Sequence, residues 1–225
     1  MKRIVSITTL AFVLSPILVL SLAQGAAQDS AQVQERKTSQ PYTGDLSIFD
    51  SPGRDERLKV NRVMDLLGIV PGKAVADIGA GSGWFTVRAA RRVGPTAYVY
   101  AVDINPKATD YIAQRARKEK LSNVKTILSE PDDPRLPAGS VDAVLLLKTY
   151  HEVAHPVDLL RQLRPALRPG AKVGVIDRNG NGEDHGIGKD VVIREANEAG
   201  YTLAGQYDFV KGDNMDYFLV FTATD

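Results

Sequence analysis

The chain has 225 residues, with 28 basic against 27 acidic side chains, three histidines and no cysteine. A near-neutral balance gives no electrostatic reason to expect nucleic acid or an anionic membrane surface as partner. Without cysteine, disulfides, thiol nucleophiles, thiolate-bound zinc and a lipid-modified cysteine are excluded.

Lys2 and Arg3 precede a mostly apolar run from Ile4 to Leu22, and Ala23-Gln24-Gly25-Ala26-Ala27 supplies small residues. Residues 1–27 therefore have the form of a signal peptide, which predicts a periplasmic or secreted protein beginning between Ala26 and Gln28. The run is long and interrupted by Ser15-Pro16, so an uncleaved membrane anchor with the domain outside is the alternative. Residues 28–45 are rich in Gln, Ser, Thr and charge and predict a disordered spacer. Residues 46–225 are long enough for one domain with a sizeable core.

Apolar positions from Asp55 to Leu67 suit an amphipathic helix stopped by Gly68 and Pro71-Gly72. A buried strand over Lys73–Ile78 leads to a glycine-rich turn and a helix over Trp84–Val93, ended by Gly94-Pro95. A second strand at Ala97–Val102 precedes a helix over Pro106–Lys120 with proline in its first turn. Strands follow at Val124–Leu128 and Val141–Leu147, then a helix at Val157–Leu167 closed by Arg168-Pro169-Gly170. The remainder predicts a strand at Lys172–Asp177, a helix at Lys189–Ala199, and strands at Tyr201–Val210 and Met215–Thr222 joined by Lys211-Gly212-Asp213-Asn214. Alternating strands and helices mean an α/β fold: a Rossmann-like, seven-stranded, mostly parallel sheet with helices on both faces and a C-terminal antiparallel hairpin.

The most informative segment is Val75-Ala76-Asp77-Ile78-Gly79-Ala80-Gly81-Ser82-Gly83-Trp84. A strand ends near an acid, and glycines at alternate positions then let a ligand approach bare backbone at a helix start. The spacing is G-x-G-x-G, with an acid two residues before the first glycine, rather than the dinucleotide G-x-G-x-x-G. From about Arg54 onward the chain resembles the class I S-adenosylmethionine-dependent methyltransferases. Leu167-Arg168-Pro169-Gly170 resembles a further family signature, L-[KR]-P-G-G, with Ala171 in place of the last glycine.

The resemblance implies S-adenosylmethionine as cofactor, held at the carboxyl ends of the strands. It implies that Asp77 lies near the amino-acid moiety, that Gly79, Ala80, Gly81 and Gly83 pass beneath the cofactor, and that Ile104 packs on adenine. Asp103 would accept hydrogen bonds from both ribose hydroxyls, and Asp132 would face the adenine amino group. The acceptor, a small molecule of unnamed type, would enter beyond the fourth strand at Lys148-Thr149-Tyr150-His151-Glu152. There His151 is the natural base, Tyr150 a pocket wall and Glu152 an orienting group, with Lys148 beside them. The near relatives carry an acid at position 148 and a histidine at 152, so Lys148 and Glu152 exchange those charges. His185 can reach the same mouth, and Arg54 or Arg57 can touch an acidic substrate or the cofactor carboxylate.

His151-Glu152-Val153-Ala154-His155 also matches the H-E-x-x-H zinc pattern. Pro156 disfavours helical geometry at His155, so no metal is expected there. Two rival functions remain open: a protein on the same fold that binds the cofactor without turnover, and an NAD-dependent oxidoreductase, which the glycine spacing disfavours.

Overall fold

Alternate residues of the apolar runs face opposite sides of one sheet, and each side is covered by its own helices. The computed structural model describes residues 42–181 and 183–224, all within the compact unit Val33–Asp225. The signal peptide, its anchor alternative and the spacer to residue 41 lie outside the described residues. Residues 42–45 already pack on the fold: the Tyr42 carbonyl accepts from Asn105 Nδ2 at 2.6 Å, and Asp45 caps a short 3₁₀ turn over Leu46–Phe49.

The strands are β1 (Val75–Ile78), β2 (Val99–Asp103), β3 (Val124–Leu128), β4 (Val141–Leu147), β5 (Leu167–Asp177), β6 (Tyr201–Tyr207) and β7 (Tyr217–Ala223). They form one seven-stranded sheet in the order β3-β2-β1-β4-β5-β7-β6, parallel through β5 and antiparallel at β7 and β6. This is the expected fold class. The helices are α1 (Arg54–Leu58), α2 (Val60–Leu67), α3 (Trp84–Val93), α4 (Pro106–Lys118), α5 (Pro156–Leu163) and α6 (Lys189–Glu198).

On one side Ala76, Val144, Val173 and Phe221 pack with Leu159, Leu163 and Val192 of α5 and α6. On the other, Val75, Val99, Leu145 and Phe218 pack with Leu67 of α2 and Phe85 and Ala89 of α3. Period-two alternation thus supplies both layers from the same strands. No helix among the described residues is long and apolar enough to cross a membrane.

Three local expectations are corrected. The single N-terminal helix is two, because Lys59 turns into the left-handed region at φ 54°. The fifth helix stops at Leu163, before Pro165, and a 3₁₀ turn leads into a β5 that starts at Leu167. Leu167 pairs with Val141 and Lys172 with Ala143, so the Arg168-Pro169-Gly170 segment is accommodated as an irregularity in β5. The last two strands are joined by a 3₁₀ turn over Phe209–Asp213 that ends at left-handed Asn214 (φ 61°), longer than a tight hairpin.

Candidate functional site

At the carboxyl end of β1 the chain turns through Gly79, Gly81 and Gly83 at φ of 70°, 55° and 73°. These left-handed angles cost an L-residue roughly 1–2 kcal/mol each. At Gly79 a Cβ would run into the Thr149 side chain, and at Gly83 it would lie 2.9 Å from Ile112. Packing as well as backbone angle therefore demands glycine at those two positions. A Cβ at Gly81 would meet only the Phe49 ring, from 3.3 Å. Gly79 and Ala80 both donate their amides to the Val102 carbonyl, which ties the turn to β2.

Asp103, at the end of β2, locks the same turn. Its Oδ2 accepts from the Gly81 amide and its Oδ1 from the Asn105 amide, each at 2.9 Å. Each oxygen keeps lone-pair capacity for a ligand hydroxyl. Burial pushes the Asp103 pKa up, opposed by those backbone amides. The turn opens on a cavity of about 320 Å³ whose lining includes Gly79, Asp103, Ile104, Asp132, Thr149 and Glu152, with Pro131 and Pro134 as apolar walls. A larger depression of about 580 Å³, bounded by Arg62, Lys189, Tyr207 and Phe209, contains none of these residues. Volume does not identify the site; convergence of strand ends does.

An N-terminal strap holds the turn from outside. Asp50 accepts from Ser82 Oγ at 2.9 Å and from Arg115 at 2.8 Å. Arg54 and Arg57 both pair with Asp213, and the Arg54 guanidinium stacks 4.5 Å from the Trp84 ring centroid. Both arginines are thus engaged with the strap and with the turn before β7, and neither is in the lining of the cavity.

Asp77 is buried and accepts from Thr86 Oγ1 at 2.6 Å. Desolvation carries its pKa up to about 7, helped by the nearby Asp103 charge and opposed by Thr86 and Arg54. A carboxyl whose folded pKa lies above its unfolded value holds its proton more tightly when folded. It therefore costs stability progressively as pH rises from about 4 to about 7, and the full cost persists above that. Asp77→Asn should remove this slope and raise stability at pH 8 by on the order of 1–4 kcal/mol. Parallel melting-temperature profiles from pH 4 to 8 for the two proteins would contradict it.

Beyond β4 the residues divide. Thr149 and Glu152 line the cavity, as do Val153, Ala154 and His155. Lys148 is exposed and left-handed (φ 55°), with its amide on the Ile176 carbonyl, and is not part of the lining. The expected Tyr150 wall is corrected: its ring is fully buried beside Leu160, Val173 and Val192, and its hydroxyl bonds Glu195 at 3.0 Å. The third residue after the end of β4 points back into the helix layer here, which spacing alone does not reveal.

His151 is also buried. Its Nδ1 lies 2.9 Å from both oxygens of Asp177, at the end of β5, and its Nε2 lies 3.0 Å from Glu152 Oε1. Burial works against the charged ring, but the two carboxylates outweigh it and carry the His151 pKa up to about 9. At neutral pH both nitrogens therefore donate, and His151 as found holds a proton rather than seeking one. Glu152 Oε1 also accepts from His185 Nδ1 at 2.8 Å; burial opposes its charge, and the two histidines hold it below the usual carboxylate range. Sequence reasoning did not assign Asp177 a role. The signal was present, since it is the acid at the end of the strand that parallels β4.

His155 sits before Pro156, the first residue of α5, with φ −121°. The H-E-x-x-H segment does not form one helix, as the proline implies.

Residues 75–170 match the protein family described as "Methyltransferase domain". A nocamycin O-methyltransferase from Saccharothrix syringae is 30% identical over 57% of this chain and 46% of its own length. A ubiquinone/menaquinone biosynthesis C-methyltransferase from Ectopseudomonas mendocina is 30% identical over 54% and 48%. The chain thus spans about half the length of these curated relatives. Among solved structures, a SAM-dependent methyltransferase from Aquifex aeolicus superposes with a TM-score of 0.71 at 24% identity, over 78% of this chain and 95% of that one. A Burkholderia thailandensis 1,6-didemethyltoxoflavin-N1-methyltransferase, with its substrate and S-adenosylhomocysteine bound, has a TM-score of 0.59 at 16% identity, over 79% and 81%.

Proposed function

We propose that this chain, which belongs to the class I S-adenosylmethionine-dependent methyltransferases, transfers a methyl group to a small-molecule acceptor. One observation carries the reading: a turn with three left-handed glycines, tied to Asp103 through the Gly81 amide, brings Gly79 and Asp103 to one cavity with Ile104, Asp132 and Glu152. The sequence relatives given above are named as a nocamycin O-methyltransferase and a ubiquinone/menaquinone biosynthesis C-methyltransferase, which supports a small acceptor.

The residues present fit the cofactor. Asp103 has acceptor capacity for two ribose hydroxyls, and Ile104 with Pro131 and Pro134 offers apolar faces to a purine. Asp132 can accept from an exocyclic amine, and Gly79, the one glycine of the turn in the cavity lining, would face the amino-acid end. When bound, S-adenosylmethionine supplies an electrophilic methyl group in line with a departing sulfur. The protein's part is positioning and desolvation. Glu152, rather than the proton-bearing His151, is the group we assign to meet the acceptor, because it lines the cavity while His151 does not. Asp177 and His151 hold Glu152 from behind, so the two act as positioning residues.

Calorimetry with S-adenosylhomocysteine, followed by transfer of labelled methyl from S-adenosylmethionine to a panel of phenols, quinols and amines, tests the reading. Binding in the micromolar range and turnover of at least one acceptor class are expected. Absence of binding at millimolar ligand would overturn it. Binding without turnover would favour a non-catalytic binder.

We further propose that residues 1–27 direct export, on the form of the leader in the sequence. N-terminal sequencing of the fractionated protein should find a start between Ala26 and Gln28 outside the cytoplasm. An intact Met1 on soluble cytoplasmic protein would refute this.

A further inference from the structure

We propose that His151, Glu152 and His185 form a binding site for one divalent transition-metal ion of the zinc type, at the acceptor side of the cavity. Glu152 Oε1 stands 3.0 Å from His151 Nε2 and 2.8 Å from His185 Nδ1, and the three ligand atoms all lie within 4.8 Å of one another. Ligands about 2.0–2.2 Å from one tetrahedral ion are about 3.3–3.6 Å apart, so movements of about half an ångström at each Glu152 contact separate the hydrogen-bonded trio from a coordinated one. An ion would replace the protons that now bridge the carboxylate and the two rings.

Two independent features make this a built arrangement. Asp177 accepts from His151 Nδ1, which fixes the ring so that Nε2 points at Glu152; metal-bound histidines are oriented by just such an outer carboxylate. His185 is held in a left-handed conformation (φ 57°), strained backbone that persists only where the surroundings impose it. Those surroundings are visible. Arg178 Nε donates to the His185 carbonyl at 2.9 Å, Asn181 bridges to Ile187, and a Cβ at Gly186 would lie 2.6 Å from the Asn179 carbonyl oxygen. The loop between β5 and α6 is thus folded back to bring His185 to Glu152, with the two histidine rings 5.8 Å apart.

Entry is open as well. The Glu152 and His185 side chains are 32% and 65% exposed, whereas that of His151 is 2% exposed. Two imidazoles and one carboxylate suit zinc or ferrous ion and leave at least one coordination position unfilled. Glu152 belongs to the cavity lining, so that position would serve an oxygen of the acceptor, whose pKa the ion would lower. This consequence rests on the transferase reading; the metal site itself does not. Pro156 constrains His155 alone and leaves free a site in which His185 supplies the third ligand.

The test uses the full chain, stripped with chelator and titrated with Co²⁺ as spectroscopic probe and Zn²⁺ as competitor. One equivalent of Co²⁺ should develop visible absorption bands that Zn²⁺ abolishes. His185→Ala and Glu152→Gln should each weaken Co²⁺ binding about 10–100-fold, whereas His155→Ala should leave it unchanged. His185 is exposed, so its variant should keep the parent melting temperature. Absence of the bands, or bands indifferent to both His185→Ala and Glu152→Gln, would overturn the site. S-adenosylhomocysteine affinity, measured on the same samples, fails or holds separately and so isolates the metal proposal from the transferase reading.

Discussion

Gly79→Ala should abolish S-adenosylmethionine binding, with at least about a 100-fold loss of affinity, and should lower the melting temperature substantially. The residue stands at φ 70° in the cavity lining, and its missing Cβ is the space taken by the Thr149 side chain. A methyl group there pays about 1–2 kcal/mol for the left-handed backbone and about 1–3 kcal/mol for overpacking against Thr149. Relief requires the turn or Thr149 to move, and both line the cavity. Gly81→Ala serves as the comparison. Its φ of 55° carries the same backbone cost, but its Cβ would meet only the Phe49 ring. It should therefore lose less stability than Gly79→Ala. Calorimetry with S-adenosylhomocysteine and thermal melts of both variants check this, and near-normal affinity in folded Gly79→Ala would show the glycine turn to be only a turn.

Asp103→Ala is expected to weaken cofactor binding by about 1.5–3 kcal/mol, roughly 10–150-fold, through lost hydrogen bonds between a charged acceptor and two hydroxyls. The structure adds a cost that spacing alone does not reveal. The same carboxylate accepts from the Gly81 and Asn105 amides, so alanine orphans two donors and loosens the glycine turn. Thermal stability should fall with affinity, by about 1–3 kcal/mol. Asp103→Asn keeps one carbonyl oxygen and the side-chain volume, and should fall between wild type and alanine on both measures. Unchanged affinity in the alanine variant would remove Asp103 from the site. Lost affinity at full stability would mean that its bonds to the turn contribute little.

Most of the framework was readable from the chain. Val124–Leu128 and Val141–Leu147 appear as strands at their expected bounds and Trp84–Val93 as a helix, because periodicity and flanking Gly or Pro determine such elements locally. On the expected cofactor side, strand ends of an α/β sheet bring part of the set together, while Asp77, Ala80, Gly81 and Gly83 stand outside the cavity lining. Asp103, Ile104 and Asp132 do meet around one cavity with Gly79.

The acceptor side was decided by tertiary structure. The sequence places Lys148 to Glu152 together at the acceptor pocket, but burial sends Tyr150 into the helix layer toward Glu195 and leaves Glu152 facing the cavity. The state of His151 depends on Asp177, 26 positions away, and on Glu152 next to it. His185 joins them only because Arg178 and the crowded Gly186 turn its loop back. Local patterns record what a residue prefers to bury or turn, so sequence by itself determined the sheet, its helices and the glycine turn. Which charged groups face one another depends on loops closed by distant partners in a low-dielectric setting, and only the folded chain decides that.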